Sequence, residues 1–171
     1  KALELPGFFR PTKEGDLLVV KEDQLILALE AKSQVGPSFG SNFNNRTEEA
    51  LGSALDLWTA YREGAFNKTV RPWLGFVFLL EDCPRSRSPV RVEEPHFKVL
   101  PEFVGASYTR RYELFCRKLG REWHYNAAAF ILSEASRGVD GVYQEPAADL
   151  TFELFARSLL AHVSAYALGK G

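Results

Sequence analysis

Short apolar blocks separated by polar, Gly or Pro punctuation run the length of this chain, and their periods predict its elements. Asp16–Val20 and Leu25–Ser33 are apolar at odd and even positions alike, with Lys21–Gln24 between them. That pattern predicts a β-hairpin whose strands are both buried on both faces, as in a central sheet covered by helices. From Gln34 to Arg46 the chain turns to Gly, Ser, Pro and Asn, a loop composition. Thr47 then caps a predicted helix, with Glu48 and Glu49 in its first turn and Leu51, Leu55, Trp58 and Tyr61 at helical spacing before Gly64. Trp73–Leu80 reads as a third buried strand, and Pro84–Pro101 as a long surface connection, partly extended around Val90–Val92. Two or more helices are expected after it: Ser107–Leu119, with Tyr108, Tyr112, Phe115, Cys116 and Leu119 on one face, and the compact, Ala-rich apolar segment Asn126–Ala135. A last helix spans Leu150–Tyr166 with Phe152, Phe155, Leu159 and Val163 as its buried stripe. Strand, strand, helix, strand in that order makes an α/β fold the most economical architecture, an αβα sandwich around a central mixed β-sheet. No internal repeat divides the chain, so residues 1–171 are expected to form one domain.

Composition narrows the class without naming it. A 171-residue chain that is 46% hydrophobic and 25% charged buries a core of ordinary size. Lys and Arg number 21 against 22 Asp and Glu, a net charge of -1, which excludes a uniformly basic nucleic-acid binder and leaves local patches open. Cys83 and Cys116 are too few for a disulfide framework and suit a reducing compartment. The longest apolar run, Trp73–Leu80, falls far short of the roughly 20 residues that cross a bilayer, and Lys1–Glu4 has no signal-peptide pattern, so a cytoplasmic location without membrane association is expected. The chain has no methionine, from which we expect its natural N-terminal region to lie upstream of Lys1.

Charges that interrupt apolar strands are the most informative feature. Asp16 opens the first strand, and Glu30 and Lys32 lie two apart near the end of the second, hence on one face. If Glu22–Gln24 forms a three-residue turn, Lys21 pairs with Leu25 and Asp16 falls opposite Glu30. Opposed residues have Cβ atoms about 5 Å apart, close enough for two carboxylates to share one Mg²⁺ at about 2.1 Å from each oxygen. Two carboxylates forced together favour a hard divalent cation between them. The Lys32 ammonium would orient or activate a water and offset charge on a pentacovalent phosphate, so the implied chemistry is phosphodiester hydrolysis. The alternative is that Glu30 and Lys32 emerge from a strand into solvent and Asp16 serves a turn, since a bare D…ExK match is common by chance. Against it stands the cost of unpaired charge within two-sided apolar strands.

Beside this triad, Ala31–Thr47 contains no acid and offers Gln34, Ser38, Ser41, Asn42, Asn44, Asn45 and Arg46. These are side chains that bond base edges and phosphates, although the same composition serves a plain polar loop. Arg110, Arg111, Arg117, Lys118 and Arg121 stand against one acid, Glu113, in a second candidate phosphate-binding stretch. Solvated helix faces look the same in sequence. His96, His124 and His162 lack zinc-ligand spacing and read as structural or surface residues. Neither a Gly-rich phosphate loop after a strand nor a Gly-x-Ser-x-Gly elbow occurs.

With these residues in view, the chain resembles the XhoI family of type II restriction endonucleases, within the PD-(D/E)xK nuclease superfamily. Leu5–Asp16, Leu29–Glu49 and Asp56–Phe66 carry the likeness, which continues through Gly141–Pro146 to the C-terminal helix. The resemblance implies a restriction-endonuclease-like αβα core and Mg²⁺-dependent cleavage of double-stranded DNA by a homodimer at a palindromic site, CTCGAG in the family. It implies a cognate DNA methyltransferase as genetic partner in a restriction-modification system. Asp16 matches the superfamily aspartate and Glu30 and Lys32 its ExK. Gly15 and Ala31 depart from the bulkier residues of relatives, and neither removes a catalytic group. For DNA contact the candidates are Gln34, Ser41, Asn42, Asn44, Asn45, Arg46, Arg110 and Arg111. Competing expectations are a repair or structure-specific nuclease of the same superfamily, and a DNA-binding protein of the same fold that is catalytically decayed or not sequence-specific.

Overall fold

In the computed structural model, which describes residues 3–66 and 71–169, the organising strand is β4 (Gln24–Gln34). It pairs antiparallel with β3 (Leu17–Lys21) and parallel with β5 (Trp73–Glu81), and β6 (Ala127–Ser133) continues the parallel run. Helix α1 (Phe39–Glu63), the single turn α2 (Pro84–Arg87) and α3 (Tyr108–Arg121) follow in the connections. Residues of α1 and α3 pack with Leu74, Phe76, Phe78 and Phe130 on one face of the sheet. On the other face α4 (Phe152–Leu168) packs Phe155, Leu159 and Val163 against Leu27, Trp73 and Ala129. This is the expected α/β class, a mixed sheet between helical layers. A separate hairpin of β1 (Glu4–Pro6) and β2 (Thr12–Glu14) precedes it. Among the described residues no helix is long and apolar enough to cross a membrane.

Several expectations need correction. β3 is an edge strand with Leu17, Val19 and Val20 exposed, so only β4 carries the two-sided burial read into both. The hairpin turn has two residues, Glu22 and Asp23, both at positive φ, rather than three. A register shift between Val19 and Val20 absorbs one residue of β4, so that the ladder ends at Leu17 paired with Leu29, and Asp16, just before β3, reaches Ala31 and Lys32 of β4.

The segment read as a loop begins a helix: α1 starts at Phe39, with Ser38 at the N-cap position but making no side-chain cap, and Thr47 lies inside it with its hydroxyl donating to the Phe43 carbonyl. Gly40, Ser41, Asn42, Asn44 and Asn45 cost such a helix about 3 kcal/mol relative to alanine. Burial of Phe39, which stacks on Tyr108, and partial burial of Phe43, which meets Tyr112 edge-on, return with these aromatic pairs about 3–6 kcal/mol and win. Gly64 ends α1 in the left-handed conformation, as its position suggested. Asn126–Ala135 forms the strand β6 instead of a helix, because it is too short for one and apolar on both faces. The Pro84 connection opens with α2, and its remainder to Pro101 lacks regular structure. Ser107 and Thr151 cap α3 and α4 through their hydroxyl oxygens. Phe152 lies half exposed at the start of α4, outside the buried stripe.

Candidate active site

β4 turns from apolar to polar along its second half, with Ala31 and Ser33 exposed and Glu30 and Gln34 buried. Its even positions face α1, and there apolar Ala28 gives way to Glu30, Lys32 and Gln34. Asp16, at the entry to the edge strand β3, meets the same face. Its Oδ2 accepts from the Ala31 amide at 2.9 Å, satisfying an N–H at the sheet edge, and from Lys32 Nζ at 3.0 Å. Lys32 Nζ is also 3.7 Å from Glu30 Oε1. The three residues picked out by sequence therefore converge on one point.

Two further groups complete the arrangement. Lys13 of β2 donates to Glu30 Oε1 at 2.5 Å, and the buried Tyr125, just before β6, donates to Glu30 Oε2 at 2.8 Å and lies 2.9 Å from the Ala50 carbonyl of α1. Neither residue is singled out by the sequence. Lys13 sits in a strand of three residues, too short for alternation to register, and Tyr125 reaches Glu30 from 95 positions away.

Electrostatics follow from these contacts. Burial pushes the Asp16 carboxyl up, but the Ala31 amide, Lys32 and Lys13 outweigh it and hold the group below the ordinary aspartate range. Burial draws Lys13 down; Glu30 opposes this, and Arg10 and Lys32 reinforce it. Burial and the Glu30 charge raise the Tyr125 hydroxyl well above its ordinary value, so it stays a donor.

Of these side chains, Lys13, Glu30 and Lys32 line an open cleft of about 690 Å³ between the β1–β2 hairpin, β4 and α1. Its far wall is ordered by Asp56, whose Oδ1 accepts from the Phe8 and Phe9 amides at 2.6 and 2.8 Å and whose Oδ2 accepts from Arg10 Nε at 2.9 Å. Arg46 lines the cleft from α1, paired with Glu49 at 2.5 Å.

The other candidates divide. Ser41, Asn44 and Asn45 are exposed and Asn42 is half-buried, all on the first turns of α1 and not on a loop. Gln34 is buried, its amide nitrogen on the Phe39 carbonyl and its oxygen on the Tyr112 hydroxyl, which leaves it nothing to offer DNA. Arg110 is paired with Glu113 at 2.7 Å, and Arg111 bonds the Ala106 carbonyl and lies over the Tyr108 ring. Arg117 is shared between Glu113 and Asp149, and Lys118 pairs with Glu122. The basic stretch of α3 is thus largely neutralised by its own neighbours.

The donor set fits a divalent cation. Asp16 Oδ2 and Glu30 Oε1 already flank one positive charge, the Lys32 ammonium. No group of three or more His, Cys, Asp or Glu suited to a metal occurs among the described residues. Two carboxylates, with the remaining positions left to water and phosphate, are the usual protein share of a Mg²⁺ site.

The family model described as Restriction endonuclease XhoI matches residues 1–145. The chain belongs to the XhoI restriction endonuclease family. It is 55% identical over 165 residues to the type II restriction enzyme BstVI of Geobacillus stearothermophilus, a match covering 94% of this chain and 74% of that enzyme. The type II restriction enzyme XhoI of Xanthomonas vasicola is 56% identical over 117 residues, 68% of this chain and 47% of the enzyme. AbrI of Azospirillum brasilense, also a type II restriction enzyme, is 62% identical over 96 residues, 56% of this chain and 43% of the enzyme. The matched segments thus span about three quarters of one relative and less than half of the other two. No solved structure matches the chain.

Proposed function

We propose that this chain carries the catalytic core of a type II site-specific deoxyribonuclease that hydrolyses phosphodiester bonds in double-stranded DNA. The single observation that carries the reading is the convergence of Asp16, Glu30 and Lys32, through the Lys32 ammonium, where Glu30 and Lys32 line an open cleft. Family membership supports it, since the named relatives are type II restriction enzymes. In this reading the core is of the PD-(D/E)xK kind, Asp16 and Glu30 hold Mg²⁺, and the protein acts as a homodimer so that two sites address the two strands of a palindrome. The family site CTCGAG is the first candidate sequence, and a methyltransferase gene beside this one would complete a restriction-modification system in the cytoplasm.

When bound, the metal polarises a phosphoryl oxygen and acidifies a coordinated water. The protein's own groups do the rest. Lys32, fixed by Asp16 at 3.0 Å, holds the attacking water in line and offsets negative charge as the phosphorus becomes pentacovalent. The Asp16 carboxyl, held below the ordinary aspartate range by the Ala31 amide and Lys32, favours the ionised form that can serve as a ligand. Tyr125 fixes the carboxylate plane of Glu30 from behind, much as outer partners orient metal ligands elsewhere. Ser41, Asn42, Asn44 and Asn45 on the first turns of α1, with Arg46 at the cleft, form the proposed DNA face, while Arg110 and Arg111 lie on the adjoining helix α3.

A plasmid digest tests the reading. Discrete fragments in Mg²⁺, none in chelator, and their loss in Asp16→Ala and Lys32→Ala are expected; persistent cleavage by both variants sinks the assignment. Sequence-specific gel retardation in Ca²⁺ with no cutting in Mg²⁺ would instead identify a binding protein, and cutting governed by branches or ends a structure-specific nuclease.

A further inference from the structure

Resting on that reading of the cleft, we propose that Lys13 is a displaceable counter-ion of the metal-binding carboxylate. It neutralises Glu30 Oε1 in the metal-free protein and moves to a phosphate of the bound DNA strand when a divalent cation takes its place.

The carboxylate of Glu30 has an inner and an outer oxygen. Oε2 accepts from the buried Tyr125 hydroxyl, whose oxygen also lies 2.9 Å from the Ala50 carbonyl, so this side of the carboxylate is held by a buried ring. Oε1 faces the cleft, and Lys13 Nζ occupies it at 2.5 Å. A Mg²⁺ or Mn²⁺ ion would sit about 2.1 Å from that same oxygen. A dication and an ammonium bonded to that same oxygen of a partly desolvated site repel strongly, so one must withdraw; Lys32, at 3.7 Å and bonded to Asp16 Oδ2, does not occupy Oε1. Glu30 is anchored in a buried strand at the centre of the fold, whereas Lys13 hangs from a three-residue strand on a flexible four-carbon stem. The ammonium is the group that can move.

Its destination must be another anion. Of the acids nearby, Asp56, across the cleft, is saturated by two amides and Arg10, Glu49 is held by Arg46 and Asp16 by Lys32; Glu14 and Glu48 also line the cleft but are present with or without the metal. The anion that arrives together with the metal is the DNA phosphate, for which a compact ammonium is a suitable partner. The exchange links the two halves of the reaction: metal binding frees a cation, and that cation then grips the strand to be cut. It also makes metal affinity lower than two carboxylates alone would give.

Two measurements on Lys13→Gln and Lys13→Arg test this, with melting temperatures read in parallel to establish that each variant is folded. Calorimetric titration with Mn²⁺ alone is expected to show Lys13→Gln binding the ion severalfold more tightly than the wild type, because its competitor is gone. Single-turnover cleavage of a CTCGAG duplex at saturating Mg²⁺ is expected to be about 10²-fold slower in Lys13→Gln, the usual loss for one charge-stabilising donor. Lys13→Arg, which keeps the charge, moves both quantities back towards the wild type. Unchanged or weaker Mn²⁺ binding in Lys13→Gln, or an undiminished cleavage rate, overturns the proposal. Glu30→Ala separates this from the reading beneath it: wild-type Mn²⁺ affinity there removes the metal site itself, whereas lost affinity there with an unaltered Lys13→Gln refutes the role of Lys13 alone.

Discussion

Glu30 and Asp56 are two carboxylates of the same cleft, 5% and 2% exposed, and they are held in opposite ways. Asp56 receives two backbone amides and one guanidinium, and these donors belong to the turn it organises. They cannot leave without dismantling that turn. Gly7 beside them is packed so closely that a Cβ would lie 2.6 Å from the Arg10 carbonyl and 2.7 Å from Asp56 Oδ2. Glu30 receives one fixed donor, Tyr125, and one ammonium on a long stem, Lys13, with the Lys32 ammonium 3.7 Å away. Burial and pairing are therefore common to a structural acid and to a proposed catalytic one. What separates them is whether the donors can be displaced by a ligand.

The sharpest way to break this contrast is to delete each acid in turn. Glu30→Ala is expected to slow Mg²⁺-dependent cleavage by about 10³-fold or more while leaving the melting temperature nearly unchanged. Lys13 can then turn to water, and the Tyr125 hydroxyl can direct its proton to the Ala50 carbonyl 2.9 Å away. Asp56→Ala should do the reverse, lowering the unfolding free energy by about 3 kcal/mol, because three hydrogen bonds to a charged group disappear together. Cleavage by the folded fraction should persist. Urea denaturation and single-turnover rates measured on both variants decide the matter, and equal losses of stability would erase the distinction.

Tyr125→Phe sharpens the comparison from the inside. The ring keeps its contact with Phe76, and only the hydroxyl that pins Glu30 Oε2 is lost. Removing an outer partner of a metal ligand costs about 10–100-fold in metal affinity or activity. The expected signature is a rise in the Mg²⁺ concentration needed for half-maximal cleavage, with the melting temperature little altered. A variant with the wild-type Mg²⁺ dependence would reduce Tyr125 to a core residue.

Acid titration probes Asp56 more gently. Burial pushes its carboxyl up, but the Phe9 and Phe8 amides and Arg10 prevail and hold it below the ordinary aspartate range. Because the folded value lies below the unfolded one, the stability this acid contributes is complete above the unfolded value, about 3.9, and is lost as pH falls through the folded value. The difference in unfolding free energy between wild type and Asp56→Asn should therefore be greatest near neutrality and shrink below about pH 4. A difference that does not vary with pH would mean that the contacts, and not the charge, hold the turn.

The part of this arrangement legible in the sequence was the part written locally. Asp16, Glu30 and Lys32 lie within one hairpin, so strand periodicity sufficed to bring them together, even though a two-residue turn and a bulge produced the register that a three-residue turn would have given. Tyr125, Lys13 and Asp56 act through contacts 95, 17 and 48 residues apart, and no local period encodes those. Composition misled where tertiary packing overrode it. The Gly- and Asn-rich stretch after β4 is helical because Phe39 and Phe43 find aromatic partners on α3, and Ala127–Ser133 is a strand because β5 offers it an edge.

The smallest effects should come from the basic residues, and they test whether the same rule extends to the surface. Arg46 lines the cleft with one exposed acid partner, whereas Arg110 is engaged by Glu113, which also binds Arg117. Exposed ion pairs of this kind contribute about 0.2–1 kcal/mol, so either arginine could be drawn to a phosphate if DNA passes close enough. Position therefore decides. Arg46→Ala should reduce the slope of log affinity against log salt by about 1, the mark of one lost phosphate contact. Arg110→Ala should leave that slope unaltered and change affinity by less than about threefold. Gel retardation in Ca²⁺ across a salt series measures both. Equal slopes for the two variants would mean that the duplex extends from the cleft across the start of α3, enlarging the DNA face beyond α1.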